Sequence, residues 1–346
     1  MGKGKILVTG GTGYIGSHTV VELCNAGYEP IIIDNLSNSN INVLDGIKAI
    51  TGHPVTYENI DCKDYNSLER FLEKHSEIVA IAHFAASKSV GESVNNPLLY
   101  YRNNILSLIN LLQLMAKFNI KNIVFSSSCT VYGQADVLPV TEQSPIKPAT
   151  SPYGSTKQMS ETILQDAAFA NKDLNAILLR YFNPIGAHPS AEIGELPNGI
   201  PNNLLPYITQ TAAGIRKELS VFGNDYNTPD GSCIRDYINV VDLAKAHVIA
   251  LNRMIEGHNK KNIEIFNLGT GEGVSVLEII RTFEKATGVK VPYKIAPRRA
   301  GDIEKVWADT SYANKELGWK AETNLEDTLL SAWNWQKKLA EKNLGN

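Results

Sequence analysis

Cysteine is scarce: Cys24, Cys62, Cys129 and Cys233 are the four in 346 residues, and none forms a C-x-x-C pair. That excludes a cysteine-built structural zinc site and a thioredoxin-type redox motif. With no disulfide framework to read, a reducing cytoplasm is the expected home. An excess of one charge is also lacking, since 33 Lys and Arg face 36 Asp and Glu for a net charge of −3. No broad positive field exists to hold a nucleic-acid backbone, so an anionic ligand must be gripped locally. Apolar runs stay short of the roughly 18 residues that a membrane span requires. The start, Met1-Gly2-Lys3-Gly4-Lys5 into Ile6-Leu7-Val8, is too short and lacks the cleavage region of a signal peptide. Gly2 opens no myristoylation motif, because Ile6 stands where Ser or Thr is needed. Of the seven histidines, His18, His53, His75, His83, His188, His247 and His258, none shows metal-ligand spacing, and no metal is expected.

What remains is an ordinary globular composition, 43% hydrophobic and 20% charged, with length for about two domains. Val- and Ile-rich runs at Ile6 to Thr9, Pro30 to Asp34, Val55 to Ile60, Ile78 to Phe84, Asn122 to Ser126, Ala176 to Tyr181 and Ile263 to Leu268 are mostly continuous rather than alternating. Strands of a parallel sheet covered on both faces read this way. Helical patterns lie at Ile15 to Ala26, Ser67 to His75, Pro97 to Phe118, Tyr153 to Ala170 and Val241 to Ile255. The alternation predicts an α/β fold, a doubly wound parallel sheet. After Arg180 the chain turns loop-rich, which predicts a smaller C-terminal α/β substrate-binding domain. The expected division is 1–184 and 185–346, with segments around 240–270 returning to the first sheet. The Pro97 to Phe118 segment is apolar on more than one face. Burial inside a large monomer and packing against a second subunit both account for it.

Gly10-Gly11-Thr12-Gly13-Tyr14-Ile15-Gly16 follows the first strand and opens a helix. Glycines there let backbone amides approach a pyrophosphate at the positive helix end, as in a Rossmann dinucleotide site. Asp34, ending the second strand about 20 residues on, is placed to accept from an adenosine ribose and to repel a 2′-phosphate, which favours NAD over NADP. Asp61, ending the third strand, falls near the adenine by the same topology. Tyr153 and Lys157 are spaced i, i+4 and share a helix face. A fixed ammonium favours the phenolate, so the pair predicts a base that takes a proton from an alcohol while a nicotinamide takes the hydride. Ser126-Ser127-Ser128 brings hydroxyls to the carboxyl edge of the sheet, and Ser128 is the choice to bond the substrate oxygen and relay its proton.

With these residues in place the chain resembles the extended short-chain dehydrogenase/reductase family, and within it the enzymes that epimerise UDP-hexoses at C4. The similarity runs almost end to end, through Val8 to His18, Asp34-Asn35-Leu36, Val90 to Ser93, Ser126 to Gly133, Arg180 to Pro184, Gly199 to Leu204, Val221 to Tyr226, Arg235-Asp236-Tyr237 and Arg298 to Asp302. The resemblance implies a tightly held NAD that is regenerated each turnover, with Tyr153, Lys157 and Ser128 catalytic. NAD contacts are implied for Gly10, Gly13, Tyr14, Ile15, Gly16, Asp34, Asn35, Ser37, Asn38, Ile60, Asp61, Phe84, Ala85, Ala86, Lys88, Asn103, Ser126, Tyr153, Lys157 and Tyr181. For a UDP-sugar, Arg235 and Arg299 are implied on the diphosphate, and Asn203, Leu204, Val221, Phe222 and Asp302 on uridine and its ribose. Asn183 and Lys88 are implied near the sugar or nicotinamide, alongside Ser128 and Tyr153. A homodimer is implied, and neither nucleic acid nor membrane is an expected partner.

Two departures refine this. Cys129 and Thr130 stand where related nucleotide-sugar 4,6-dehydratases carry an Asp-Glu pair, which removes the proton donor and base for dehydration. Val306 stands where a bulky Tyr accompanies enzymes limited to glucose and galactose, so acceptance of UDP-GlcNAc and UDP-GalNAc is expected as well. An NAD-binding regulator on the same fold would be expected to have lost Tyr153, Lys157 or the uridine motifs.

Overall fold

The computed structural model describes residues 3–299 and 302–342; Gly2 of the amino-terminal motif, and Ala300 and Gly301 of the Arg298 to Asp302 motif, lie outside the described residues. The first half runs β1 (Lys5–Thr9), α1 (Tyr14–Asn25), β2 (Glu29–Asp34), α2 (Val43–Thr51), β3 (Thr56–Asn59), α3 (Tyr65–Lys74), β4 (Ile78–His83), α4 (Val90–Asn95), α5 (Pro97–Lys117), β5 (Asn122–Ser128), α6 (Pro152–Ala170) and β6 (Asn175–Tyr181). These strands make a parallel sheet in the order β6-β5-β4-β1-β2-β3, and Ile263–Leu268 adds a seventh, parallel to β6. The order reverses between β1 and β4, and ligands of such sheets bind beyond the strand ends at that switch point.

The continuous apolar runs have a direct packing cause. In β1, Ile6 and Val8 pack with Val20 and Leu251 on one face, while Leu7 packs with Leu68 and Leu111 on the other. The same division separates Ile32 from Ile31 and Ile33, and Val124 from Ile123 and Phe125. Side chains therefore alternate in direction but not in polarity, since water reaches neither face.

In the second half lie α7 (Leu204–Ala212), α8 (Val240–Ile255), α9 (Val276–Thr287) and α10 (Leu325–Glu341). Leu243, Ala246 and Leu251 of α8 join the core of the main sheet. A separate core gathers Ile185, Ile208, Val221, Ile279, Phe283 and Leu329. Short strand pairs replace long ones here: Asn183–Ile185 with Tyr237–Asn239, Leu219–Phe222 with Tyr293–Ala296, and Ile234–Arg235 between Val274–Ser275 and Lys305–Val306.

Boundaries shift by a residue or two from the apolar runs. The important shift is at β5, which continues past Ser126 to Ser128 because Ser127 and Ser128 still pair with Arg180 and Tyr181 of β6. Helices α2, α4, α7, α9 and α10 were not predicted by the apolar pattern. Among the described residues no helix is long and apolar enough to cross a membrane, and no cluster of three His, Cys, Asp or Glu could hold a metal ion.

Candidate active site

The glycine loop fits a dinucleotide for a steric and an electrostatic reason. Gly10 sits at φ +71°, and a Cβ on it would run into the backbone of Ala85; one on Gly16 would run into the Gly10 carbonyl. Gly13 caps α1 without a side-chain hydrogen bond, and the first turn carries no acid. The leading N–H groups and the positive helix end are thus free of internal compensation, the arrangement that receives a phosphate.

Asp34 accepts from Leu36 N at 2.9 Å and Ser39 Oγ at 3.2 Å through Oδ1, and from Thr12 N at 3.2 Å through Oδ2. It shapes its own turn and the glycine loop, yet a carboxylate has about four acceptor sites, so capacity for a ribose hydroxyl remains. Asn35 donates to Asp61 at 3.1 Å, and Lys63 joins Asp61 at 3.5 Å and Asn103 at 2.8 Å, which ties the ends of β2 and β3 to α5. Ile60 is buried and Ser37 and Asn38 are exposed on the same rim. Phe84 and Ala85 are held at the end of β4 by Thr9, with Ala86 following. The Tyr14 phenol donates to the Gly186 carbonyl at 2.7 Å, binding the α1 start to the chain beyond β6.

Tyr153 lies in the first turn of α6, which Ser151 caps by accepting from Gly154 N. Its ring stands edge-on to Tyr100 at 6.5 Å. Lys157, one turn later and 4% exposed, donates to the Ser126 carbonyl at 2.6 Å and lies 4.9 Å from the Phe125 ring and 5.8 Å from the Tyr153 ring. Burial pulls the Lys157 ammonium down to about 8, against the pull of the Glu161 carboxylate. Burial likewise pushes the Tyr153 phenol well above its ordinary value, Tyr181 adds to the rise, and the Ser128 hydroxyl works against it. Among this chain's own groups desolvation has the largest influence on the phenol, and the Lys157 ammonium is turned toward the Ser126 carbonyl. The Ser128 hydroxyl accepts from Thr130 N at 3.2 Å. Ser126 Oγ meets the Tyr181 hydroxyl, and burial pushes that phenol up to about 12.

Glu161, one further turn along α6, has no forerunner in the sequence reading. It accepts from Ser127 Oγ at 2.5 Å and from Arg180 at 2.9 and 2.6 Å, and Arg180 also donates to the Tyr132 hydroxyl at 3.0 Å. This buried pair locks the tips of β5 and β6 to the helix that carries Tyr153 and Lys157. Its signal was present as an acid at i+8 in the Tyr-Lys series.

Among the residues expected to meet a nucleotide sugar, Arg235 and Val306 are register partners in a parallel strand pair. Arg235 donates to its neighbour's carbonyl, Ile234 O, at 2.8 Å. Arg299 pairs with Asp302 at 2.7 Å and lies 5.5 Å from the Phe222 ring. Phe222 is 40% exposed, whereas Val221 is 1% exposed and packed in the second core. The Val221 side chain is thus engaged in packing, and only its backbone is available to a uridine. Asp236, next to Arg235, accepts from Thr270, Gly271 and Ala308. That buried carboxylate fixes the strand bearing Arg235 and was not foreseen. Asn183 bonds to the Asp236 carbonyl through its N–H at 2.9 Å. Leu204 opens α7, with Asn203 at its N-cap. Lys88 and Asn203, far apart in sequence, both reach Glu195, at 3.3 and 2.6 Å.

Comparison with known proteins agrees with this geometry. A family model described as GDP-mannose 4,6 dehydratase matches residues 7–331. A UDP-glucose 4-epimerase of Bacillus subtilis is 52% identical over 331 residues, 96% of each chain. The human UDP-glucose 4-epimerase is 49% identical over 340 residues, 96% of this chain and 97% of that one. The crystal structure of UDP-glucose 4-epimerase from Bifidobacterium longum, in complex with NAD+ and UDP, superposes with a TM-score of 0.93 at 48% identity, covering 99% of this chain and 100% of that one. The chain therefore belongs to the UDP-glucose 4-epimerase family, within the extended short-chain dehydrogenases/reductases.

Proposed function

We propose that the protein interconverts UDP-galactose and UDP-glucose by oxidation at C4, turnover of the 4-keto sugar and reduction on its other face. The observation that carries this reading is the convergence of Tyr153, Lys157 and Ser128 on the end of β5, in the same sheet edge as the uncapped start of α1. NAD, when bound, supplies a positively charged hydride acceptor that returns the same hydride. Tyr153 takes the proton of the sugar 4-hydroxyl, Ser128 bridges the two oxygens, and the proton goes back from Tyr153 when C4 is reduced. Lys157 holds the end of β5 and contributes the cation nearest the phenol. Arg235 and Arg299 grip the diphosphate through paired guanidinium bonds, while Asn183 and Lys88 face the mobile sugar. Domains near 1–184 and 185–346 divide this labour; the core of Ile185, Ile208, Val221, Ile279, Phe283 and Leu329 belongs to the second, while Leu243, Leu251, Phe266, Leu268, Leu317 and Trp319 return to the core of the main sheet.

Val306 supports a broader substrate range. It is 4% exposed among Val131, Phe182 and Ile303 and pairs with the Arg235 strand. A Val there leaves more room than a Tyr, and UDP-GlcNAc and UDP-GalNAc are read as additional substrates. Val306→Tyr should lose activity on UDP-GlcNAc and keep it on UDP-galactose; full retention of the N-acetylated rate would overturn the steric reason.

The assembly is read as a homodimer through α5 and α6. Leu98, Leu99 and Leu106 of α5 and Met159 of α6 are 79%, 42%, 37% and 47% exposed, unusual for apolar side chains on neighbouring helices. The direct test of the cofactor is release of NAD when the purified protein is denatured; a different dinucleotide or none would contradict it.

A further inference from the structure

Glu195 is an acid that meets two residues read as ligand contacts, Lys88 and Asn203, which come from distant parts of the chain. Its side chain is only 10% exposed. One oxygen, Oε1, accepts from Lys88 Nζ at 3.3 Å and from Asn203 Nδ2 at 2.6 Å. A carboxylate can only accept, so Asn203 must turn its amide nitrogen inward and keep its Oδ1 for another partner. Asn203 also occupies the N-cap of α7 with extended backbone, φ −93° and ψ 151°, and makes no side-chain cap. Asn is among the strongest capping residues, yet its Oδ1 caps no helix N–H while its amide nitrogen is held by Glu195.

The loop carrying Glu195 is fixed from two directions. Trp335 of α10 donates its indole N–H to the Glu195 carbonyl at 3.0 Å, and a Cβ on Gly194 would run into the same indole. From the other half, Gly46 of α2 packs so closely on the Glu192 carbonyl that it admits no side chain. Lys88 differs, with its side chain 49% exposed on a flexible stem. Its neighbour Ser89 donates its N–H to the Tyr100 hydroxyl at 2.9 Å, and the Tyr100 ring stands edge-on to Tyr153. A rigid acid thus holds a flexible cation close to the reacting end, and the same oxygen orients an amide at the nucleotide end.

We propose that Glu195 is a positioning residue that sets Lys88 for the sugar and Asn203 for the nucleotide, so that one carboxylate joins the two ends of the ligand site. The inference rests on the reading of the protein as a UDP-hexose 4-epimerase. Without Glu195, the half-exposed Lys88 would lose the one carboxylate that pairs with it among the described residues and, with it, its fixed position.

Two substitutions separate the arms. Glu195→Gln keeps an acceptor for Asn203 and removes the charge that holds Lys88; Glu195→Ala removes both. The purified NAD-loaded protein and its variants are compared for turnover of UDP-galactose and, by calorimetry, for binding of UDP alone. Glu195→Gln should lower kcat/KM about tenfold, the scale of one lost charge-assisted contact, with UDP bound no more weakly. Glu195→Ala should weaken UDP as well. In a Lys88→Met background, Glu195→Gln should have no further effect on kcat/KM, because the two residues act as one unit. Additive losses, or a parallel fall in UDP affinity, turnover and melting temperature for Glu195→Gln, would overturn the proposal and leave Glu195 as a loop anchor. Absence of turnover by the unsubstituted protein would overturn the epimerase reading itself, and this one with it.

Discussion

The Lys157 ammonium donates to the Ser126 carbonyl at 2.6 Å, two residues before Ser128 on the same strand. The helix of the proposed base and the strand of the proposed relay are therefore joined by a buried cation. Its depression from 10.5 to about 8 by burial corresponds to on the order of 3 kcal/mol of cost at neutral pH. Below pH 8 folded and unfolded chains both hold that proton, and the cost is present in full. Between about 8 and 10.5 the unfolded chain binds more protons, so this group makes stability rise with pH. Against Lys157→Met, the unsubstituted protein should gain about 2 kcal/mol between pH 7.5 and pH 10, read from urea midpoints. An unchanged difference at the two pH values would contradict the burial of a charged lysine. The same variant should lose about 10²-fold or more in kcat, and Tyr153→Phe should lose turnover altogether while the fold is kept.

The proposed role of Asp34 is to set the cofactor preference. Asp34→Ala should weaken NAD retention at least about tenfold, remove the repulsion of a 2′-phosphate, and cost about 1 kcal/mol for the lost turn bonds. Dinucleotide released from denatured samples after exposure to NAD and NADP mixtures reads the outcome. Equal retention of NAD and NADP by the unsubstituted protein would contradict the role.

The exposed face of α5 and α6 makes its own prediction. On the proposed dimer, Leu98→Glu with Leu106→Glu should yield a monomer by light scattering while the unsubstituted protein runs as a dimer; Leu98, 79% exposed, is the substitution that leaves the core untouched. A monomeric unsubstituted protein would refute the dimer.

Much of this was legible in the residues because parallel strands buried on both faces leave continuous runs such as Ile31-Ile32-Ile33, and because a turn demands glycine at Gly10 and close approach to the Gly10 carbonyl demands it at Gly16. What escaped lay in long-range partnerships. Glu161, Glu195 and Asp236 take their meaning from Arg180, Lys88, Asn203 and Thr270, which chain order does not bring together. Missed helices had readable starts: Ser275 and Glu278 form a capping box at α9, and the Asn324 side chain accepts from Asp327 N at α10. Their amphipathic pattern faces the second core rather than the sheet. At Tyr153, spacing reveals a nearby cation but not the depth at which both groups lie.

The C4 hydride carries the central claim. UDP-galactose labelled with deuterium at C4, incubated with the purified protein in ordinary water without added cofactor, should become UDP-glucose that retains the deuterium at C4. The label leaves as hydride and returns without meeting solvent. Loss of deuterium to water during conversion, or no conversion at all, would contradict oxidation and return at C4.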